Sequence, residues 1–307
     1  MLFYPSLASR LVPWLGKDLH AYRQFSDLIA RMWEYLSVDE LCCHVNGKKM
    51  WIQADDRWAL RRFFRFRGRY DYRQIKVLSR FLSANTCYWD IGANYGTYFV
   101  TLSDFFHRDT RVVLMEPNVG VFRLLRRTVY YDTRDDLTVF PLNCAAGKRD
   151  GSGPLFLSRM GSADSRTYEP HDDDTYNYGK HREKVMVEIR SLDRTALDLF
   201  PDWPHDNVIK LDVQGHEYEV IQGAARLIDN SRMAVVFIEI WPHGLRQSLT
   251  DPTQLIGFFK DRGFRVLNEV GIPKSYDWLQ DFVDSEVSAG GFRGINVILV
   301  KHPGRGL

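Results

Sequence analysis

Tyr88-Trp89-Asp90-Ile91-Gly92-Ala93-Asn94-Tyr95-Gly96-Thr97-Tyr98-Phe99-Val100-Thr101-Leu102 reads as strand, tight turn and helix. Tyr88 to Ile91 is a short apolar run suited to a buried parallel strand. Gly92 and Gly96 let the backbone turn sharply and approach a ligand with no Cβ in the way. Asn94 stands where a third glycine might be expected, and Asn is the side chain that best tolerates the left-handed region. Phe99 and Leu102 then recur at helical spacing, so a helix starts at the ligand's edge with its first N–H groups facing it.

The spacing narrows the ligand. A dinucleotide fingerprint is G-x-G-x-x-G, and a P-loop ends in G-K-[ST]; this loop is D-x-G-x-N-x-G instead. A second strand, Val112-Val113-Leu114-Met115, ends in Glu116, where an acid accepts hydrogen bonds from ribose hydroxyls. Asp90 is placed to hold an ammonium group and order the loop. A ligand with a ribose, an amino-acid tail and no phosphate fits these features, which is S-adenosylmethionine.

Three motifs occur in order: D-I-G-A-N-Y-G, M-E-P-N, and I-K-L-D-V-Q-G-H-E-Y-E-V-I-Q-G-A at Ile209 to Ala224. From about Tyr72 to Val300 the chain resembles the FkbM-type family of S-adenosylmethionine-dependent methyltransferases. The resemblance implies a seven-stranded sheet whose last strand is antiparallel, and O-methylation of polyketide or saccharide hydroxyls. It carries Asp212, Gly215 and Glu217 as recurrent positions, with Gln214 where glutamate is common.

The whole chain fits that fold class. At 307 residues, 45% hydrophobic and 26% charged, it is long enough for a sizeable core. Strands and helices alternate through Leu137–Leu142, Val208–Val213, Ala234–Ile240, Phe264–Leu267 and Ile295–Val300, predicting an α/β fold, and the resemblance implies that it is Rossmann-like, of the class I methyltransferase type. Its mainly parallel sheet would carry helices on both faces. Residues 1–70 read as an appendage and 71–307 as the catalytic domain, with 147–184 an inserted substrate-facing loop.

In the appendage, Leu2, Phe3, Leu11, Val12, Trp14 and Leu15 precede a helix expected over Ala21 to Tyr35. A cap on the catalytic domain or on a second subunit is the expected role, so a homo-oligomer stays open; peripheral membrane contact through an amphipathic segment is the alternative. Cys43 to Ile52, with Asn46-Gly47 at its centre, predicts a hairpin. Arg61 to Tyr70 holds five arginines in nine residues with interleaved aromatics. It is either a surface segment with phenylalanines inward or a grip for phosphates, bases or an anionic glycan.

Ligands in such sheets bind at the carboxyl ends of the strands, which gathers the candidate site residues. Asp90, Gly92, Asn94, Gly96 and Glu116 serve the donor, and Asn143 or the backbone through Ala145 reads its adenine. A sugar hydroxyl needs a base or a metal as the methyl transfers. Asp212, His216 and Glu239 are the catalytic candidates: His216 as base oriented by Asp212, or Asp212 and Glu239 around a divalent cation, which is not predicted. Trp241, His243 and Ser162 are candidate acceptor contacts. The Asp172-Asp173-Asp174 run lacks the spacing of a calcium loop.

Net charge of +2 disfavours a nucleic-acid partner. Four cysteines without CxxC predict buried free thiols. The lack of an apolar run of about 18 residues predicts no transmembrane segment and a cytoplasmic protein. The expected activity is O-methylation of a sugar hydroxyl in a glycan or glycosylated natural product. Two alternatives remain: a methyltransferase acting on nucleic acid or protein, motivated by Arg61–Arg69, and a non-catalytic S-adenosylmethionine-binding protein.

Overall fold

A computed structural model describes residues 19–66, 68–69, 71–158, 161–169 and 183–302. The Asp172–Asp174 run, Arg67, Tyr70, Arg159 and the apolar positions between Leu2 and Leu15 lie outside these residues. The appendage comprises α1 (Leu19–Tyr35), β1 (Glu40–Val45), β2 (Lys48–Gln53) and α2 (Arg57–Phe66). Then come α3 (Tyr72–Leu78), β3 (Thr86–Ile91), α4 (Thr97–Leu102), β4 (Arg111–Met115), α5 (Val119–Asp132) and β5 (Thr138–Leu142). A smaller unit holds β6 (Ala145–Ala146), β7 (Gly151–Leu157) and β8 (Glu183–Arg190). The chain continues with α6 (Leu192–Leu199), β9 (Asp206–Leu211), α7 (Glu217–Gln222), α8 (Ala225–Asp229), β10 (Met233–Ile240) and α9 (Pro242–Gln247). It ends with α10 (Pro252–Asp261), β11 (Arg265–Asn268), β12 (Pro273–Lys274), α11 (Tyr276–Ser288) and β13 (Ile295–Lys301).

The main sheet runs β12-β11-β13-β10-β9-β3-β4-β5. β10, β9, β3, β4 and β5 are parallel, and β13 is antiparallel to both β10 and β11. This is the expected seven-stranded sheet plus a two-residue edge strand, β12. Its Pro273 has no N–H to donate, and proline is tolerated at such an edge.

Because side chains alternate across a strand, neighbouring residues of β3 feed separate cores. Trp89 and Ile91 join Val113, Ile209, Val236, Val220, Phe259 and Leu279 on one face. Tyr88 joins Val112, Val208, Val235, Ile75, Phe99 and Leu125 on the other. Helices thus cover both faces, as a parallel sheet requires.

The hairpin forms at Asn46-Gly47, with Val45 opposite Lys48 and positive φ at both turn residues, as a two-residue turn between twisted strands demands. The appendage is not a separate body. Its core of Leu41, Val45, Ile52, Leu60, Phe63 and Phe64 includes Tyr95, Val121 and Leu124 from the main fold. Most of the basic stretch is helix α2, which was not anticipated; Phe63 and Phe64 do face inward. Helices α6 and α11 were also not anticipated. Helices α7 and α8 are parted at Gly223, where an added Cβ would lie 2.1 Å from the Gly147 carbonyl oxygen.

β7 and β8 pair antiparallel from Gly151–Ile189 to Leu157–Glu183, with β6 parallel to β8. All four cysteines are free and buried. No helix among the described residues is long and apolar enough to cross a membrane.

Candidate active site

The chain leaves β3 to form β4 and β5 on one side, then returns to form β9 and β10 on the other. At that reversal, along the carboxyl ends of the strands, lies a cleft of about 590 Å³. Its donor side is lined by Gly92, Ala93, Asn94, Glu116, Cys144 and Ala145, and its far side by Asp212, His216, Glu239 and Trp241. A second cavity, of about 550 Å³, lies around Thr86, Asp109, Arg111, His205 and Arg232. Those residues stand at the opposite ends of the strands, and none belongs to the three motifs.

The β3–α4 turn is held by its own backbone. The amides of Gly92 and Ala93 both donate to the Met115 carbonyl at 3.0 Å. Gly92 and Gly96 have φ of 72° and 91°, and Asn94 takes φ of 51°, the left-handed conformation expected of it. A Cβ on Gly92 would meet the Asp212 carbonyl oxygen at 2.1 Å. Gly96 lies outside the cleft lining, with its would-be Cβ against Leu125 at 2.9 Å, so it serves helix packing. Glu116 accepts one backbone N–H on each oxygen, from Asn94 and Asn118, both at 2.9 Å. Each oxygen keeps a lone pair for a ribose hydroxyl. Glycine cradle, buried acid and cleft volume together fit an S-adenosyl nucleoside.

Asp90 was expected to hold a ligand's ammonium. It is fully buried outside the cleft lining, and its cation is Lys210, whose Nζ lies 3.2 Å from Oδ1. Lys210 also donates to the Gly92 carbonyl at 2.7 Å and stands 4.0 Å from Asp212 Oδ2. Burial alone would lower the Lys210 ammonium, but Asp90 and Asp212 outweigh it and hold it above its ordinary value. One buried cation thus ties the donor turn to the tip of β9. Asn143 donates to the carbonyls of Glu116 and Pro117 at 2.9 and 3.1 Å and lies outside the cleft lining. It braces the β4 tip, and only Ala145 of that pair faces the cleft.

On the far side, Asp212 keeps 45% of its side chain exposed and accepts a hydrogen bond from Gln214 at 2.6 Å. A glutamate at position 214 would have no proton to give. No hydrogen bond links Asp212 to His216 among the described residues, so the expected orienting contact is replaced by Gln214 and Lys210. His216 is mostly buried with Nδ1 lacking a partner, and burial holds its imidazole below the ordinary range. Glu217 faces inward and accepts from the amides of Val213 and Gly215, bracing the turn. Asp212 and Glu239 share the cleft, but no group of three or more metal-binding side chains occurs among the described residues.

Trp241 is buried, donates to the Phe292 carbonyl at 3.0 Å, and has the Arg166 guanidinium 5.1 Å from its ring centroid. That arrangement gives it a wall role rather than a stacking face for a sugar. His243 packs on Phe292 with ring centroids 4.5 Å apart and lies outside the lining. Ser162 does line the cleft, on the donor side. Its Oγ donates to Asp56 at 2.7 Å and accepts from Asn94 at 2.8 Å.

Asp56 was missed. It is buried at the start of α2 and caps that helix through the Ala59 amide at 2.8 Å. It also accepts from the Tyr95 hydroxyl and the Ser162 amide, at 2.8 and 2.9 Å. One carboxylate therefore joins appendage, donor turn and insertion. The only sequence signal was an Asp ahead of a helix, which announces a cap and nothing more.

The buried acids set a pH dependence. Burial pushes Glu116 and Glu217 up to about 7, and burial with Asp212 and Glu217 nearby pushes Glu239 up to about 8. A carboxyl whose folded pKa exceeds its unfolded value costs stability as pH rises between the two. Here that window runs from 4.5 to about 8. His216 acts oppositely below about 6.5, where the unfolded imidazole gains a proton that the folded one resists. The melting temperature of donor-free protein is therefore expected to fall from pH 6.5 to 8, and Glu239→Gln to flatten the upper part of that fall. A melting temperature that is level or rising across this range would overturn the assignment.

Comparison with known proteins agrees with the motifs. The family model "Methyltransferase FkbM domain" matches residues 90–266, more than half of the chain. The hexuronic acid methyltransferase AglP of Haloferax volcanii is 26% identical over 75% of this chain and 81% of its own. Among solved structures, the methyltransferase FkbM from Methylobacillus flagellatus is 14% identical, covering 80% of this chain, with a TM-score of 0.37. The chain spans 54% of that protein's length. The Bacillus cereus O-methyltransferase in complex with SAH is 14% identical over 75% of this chain and 80% of its own, also at 0.37. Both scores are too low to carry an argument. The match over residues 90–266, with the three motifs gathered at one sheet edge, places the chain in the FkbM methyltransferase family.

Proposed function

We propose that the protein is an S-adenosylmethionine-dependent O-methyltransferase acting on a sugar hydroxyl of a glycan or glycosylated natural product. The observation that carries this reading is that the donor turn, Glu116 and Asp212 line one cleft. S-adenosylmethionine supplies an electrophilic methyl group on sulfur when bound. The chain supplies alignment, which for an in-line displacement is a large share of the rate.

Glu116 would hold the ribose, and the Gly92–Asn94 turn would let the amino-acid tail approach the backbone. Asp212 is the carboxylate with most exposure to the cleft, so it is assigned to take the acceptor's proton as the new bond forms. Gln214 and Lys210 fix its orientation. Neutral His216 stands beside it as part of the acceptor wall. The sugar acceptor is supported by the family, and by a relative whose name describes action on a hexuronic acid.

Two measurements test this. Calorimetric titration should show S-adenosylmethionine binding; none would remove the transferase reading. Label transferred from methyl-labelled donor into lysate should be lost on glycosidase treatment and survive nuclease and protease. Loss with nuclease would sink the sugar acceptor. His216→Ala should keep donor binding and lower turnover less than a change at Asp212.

A further inference from the structure

We propose that Tyr168 is a positioning residue for methyl transfer: through the Gln214 backbone it fixes the side chain that aims Asp212 at the acceptor. This rests on the assignment of Asp212 as the group that takes the acceptor's proton, and it brings the insertion into the chemistry. The Tyr168 hydroxyl donates to the Gln214 carbonyl at 2.8 Å, across 46 positions of sequence. The Gln214 side chain in turn donates to Asp212 Oδ1 at 2.6 Å. Tyr168 itself lies outside the cleft lining, so it acts through its neighbour.

Asp212 depends on other groups for its orientation. A carboxylate that is nearly half exposed keeps its rotamer freedom unless its oxygens are held. Gln214 holds Oδ1, while Lys210 stands 4.0 Å from Oδ2, beyond hydrogen-bonding reach. The aim of the base therefore follows the Gln214 side chain. Gln214 takes φ of 55°, in the left-handed region that such a residue seldom enters. That conformation lasts only where the surroundings over-determine it, and cases of it gather at active sites.

The surroundings do so here. The Val213 and Gly215 amides both donate to Glu217, and the Asp212 amide donates to the Ile91 carbonyl. The Gly215 carbonyl accepts from Ser248 Oγ at 2.6 Å, and the Gln214 carbonyl from Tyr168. The amides are thus fixed by β3 and α7, and the two carbonyls by side chains from distant parts of the chain. Holding the Gln214 carbonyl holds that residue's ψ. With φ and ψ set, few rotamers lead from Gln214 to Asp212.

Tyr168 is itself held firmly. Phe156 and Arg166 exchange backbone hydrogen bonds at 2.8 and 3.1 Å, which seats this stretch on β7. The Arg166 side chain is buried, with Nε and Nη2 both donating to Asp164 Oδ1 at 3.0 and 2.8 Å. Its guanidinium lies 5.1 Å from the Trp241 ring centroid and 5.8 Å from that of Tyr168. A buried cation against both rings fixes where the phenol points. Earlier in the same stretch, Ser162 accepts from Asn94 of the donor turn. The chain from Ser162 to Tyr168 therefore reaches both the donor turn and the turn that carries the base.

The test compares the full chain with Tyr168→Phe, Gln214→Met and the double variant, each of which keeps the bulk of the side chain it replaces. Transfer from methyl-labelled S-adenosylmethionine is titrated against the glycosidase-sensitive lysate fraction. Tyr168→Phe is expected to lower kcat about ten-fold, the scale of one hydrogen bond, with KM, donor affinity and melting temperature near those of the unaltered protein. Gln214→Met should cost at least as much, and the double variant no more than Gln214→Met alone, because both act on one contact. An unchanged kcat in Tyr168→Phe, a loss that lies in KM alone, or losses that multiply in the double variant overturn the inference. A crystal structure of Tyr168→Phe with S-adenosylhomocysteine bound decides without any acceptor: Gln214 should have left Asp212, and Gln214 still donating to Oδ1 overturns the role of Tyr168. If the unaltered protein labels no glycosidase-sensitive fraction, the sugar reading falls, and that crystal structure still decides for or against Tyr168.

Discussion

Asp212→Asn is expected to lower methyl transfer by about 10²–10⁴-fold, the range for loss of a positioned base, while donor affinity stays near that of the unaltered protein. Asparagine has almost the same shape and still accepts from Gln214, but it cannot take a proton. Its backbone also keeps its place, because the Asp212 amide donates to the Ile91 carbonyl at 3.1 Å. Donor affinity should therefore be spared. Single-turnover rates at saturating donor and acceptor separate the chemical step from binding. A variant as fast as the unaltered protein would move the proton to another group, and His216, neutral through burial, is next in line. A variant that loses donor binding as well would show that Asp212 works through the turn beneath it.

The donor half of the site was legible in the sequence because it is local. Gly92, Asn94 and Gly96 needed positive φ, and the residue types that tolerate it stood at those positions. Glu116 follows β4 directly, so the end of an apolar run located it. The sheet was legible for the same reason: buried parallel strands read as continuous apolar runs. The far half was less so, since it depends on which side chains meet across the fold. Nothing in I-K-L-D said that Lys210 would serve Asp90 rather than Asp212: Asp212 is two residues further along its own run, whereas Asp90 stands directly opposite Lys210 on β3. Asp56 reaches Ser162 over 106 positions and Tyr95 over 39, and no local pattern encodes such a contact. The basic stretch misled in its own way. Leu60, Phe63 and Phe64 stand at i, i+3 and i+4 and form the buried side of a helix packed against β1, β2 and α5, a periodicity that the interleaved arginines masked.

Gly92→Ala should leave a folded protein that no longer binds its donor. At φ of 72° the backbone is in the left-handed region, which costs an alanine about 1–2 kcal/mol. The larger effect is steric. The new Cβ would lie 2.1 Å from the Asp212 carbonyl oxygen, a backbone atom with no rotamer to escape into. Either the turn or the tip of β9 must move. Lys210 couples them through the Gly92 carbonyl, so donor cradle and proton acceptor shift together. Misplacement by about 1 Å is enough to cost about 10²-fold, and donor affinity should fall at least that far. Gly257→Ala is the control: its Cβ meets nothing within 4 Å, and it sits inside α10. There, replacing glycine should raise stability by about 0.5–1 kcal/mol and leave donor binding untouched. Circular dichroism and calorimetric titration on both variants decide the matter. Donor binding by Gly92→Ala at the affinity of the unaltered protein would mean that the ligand sits elsewhere, and the roles of Glu116 and Asp212 would lose their basis.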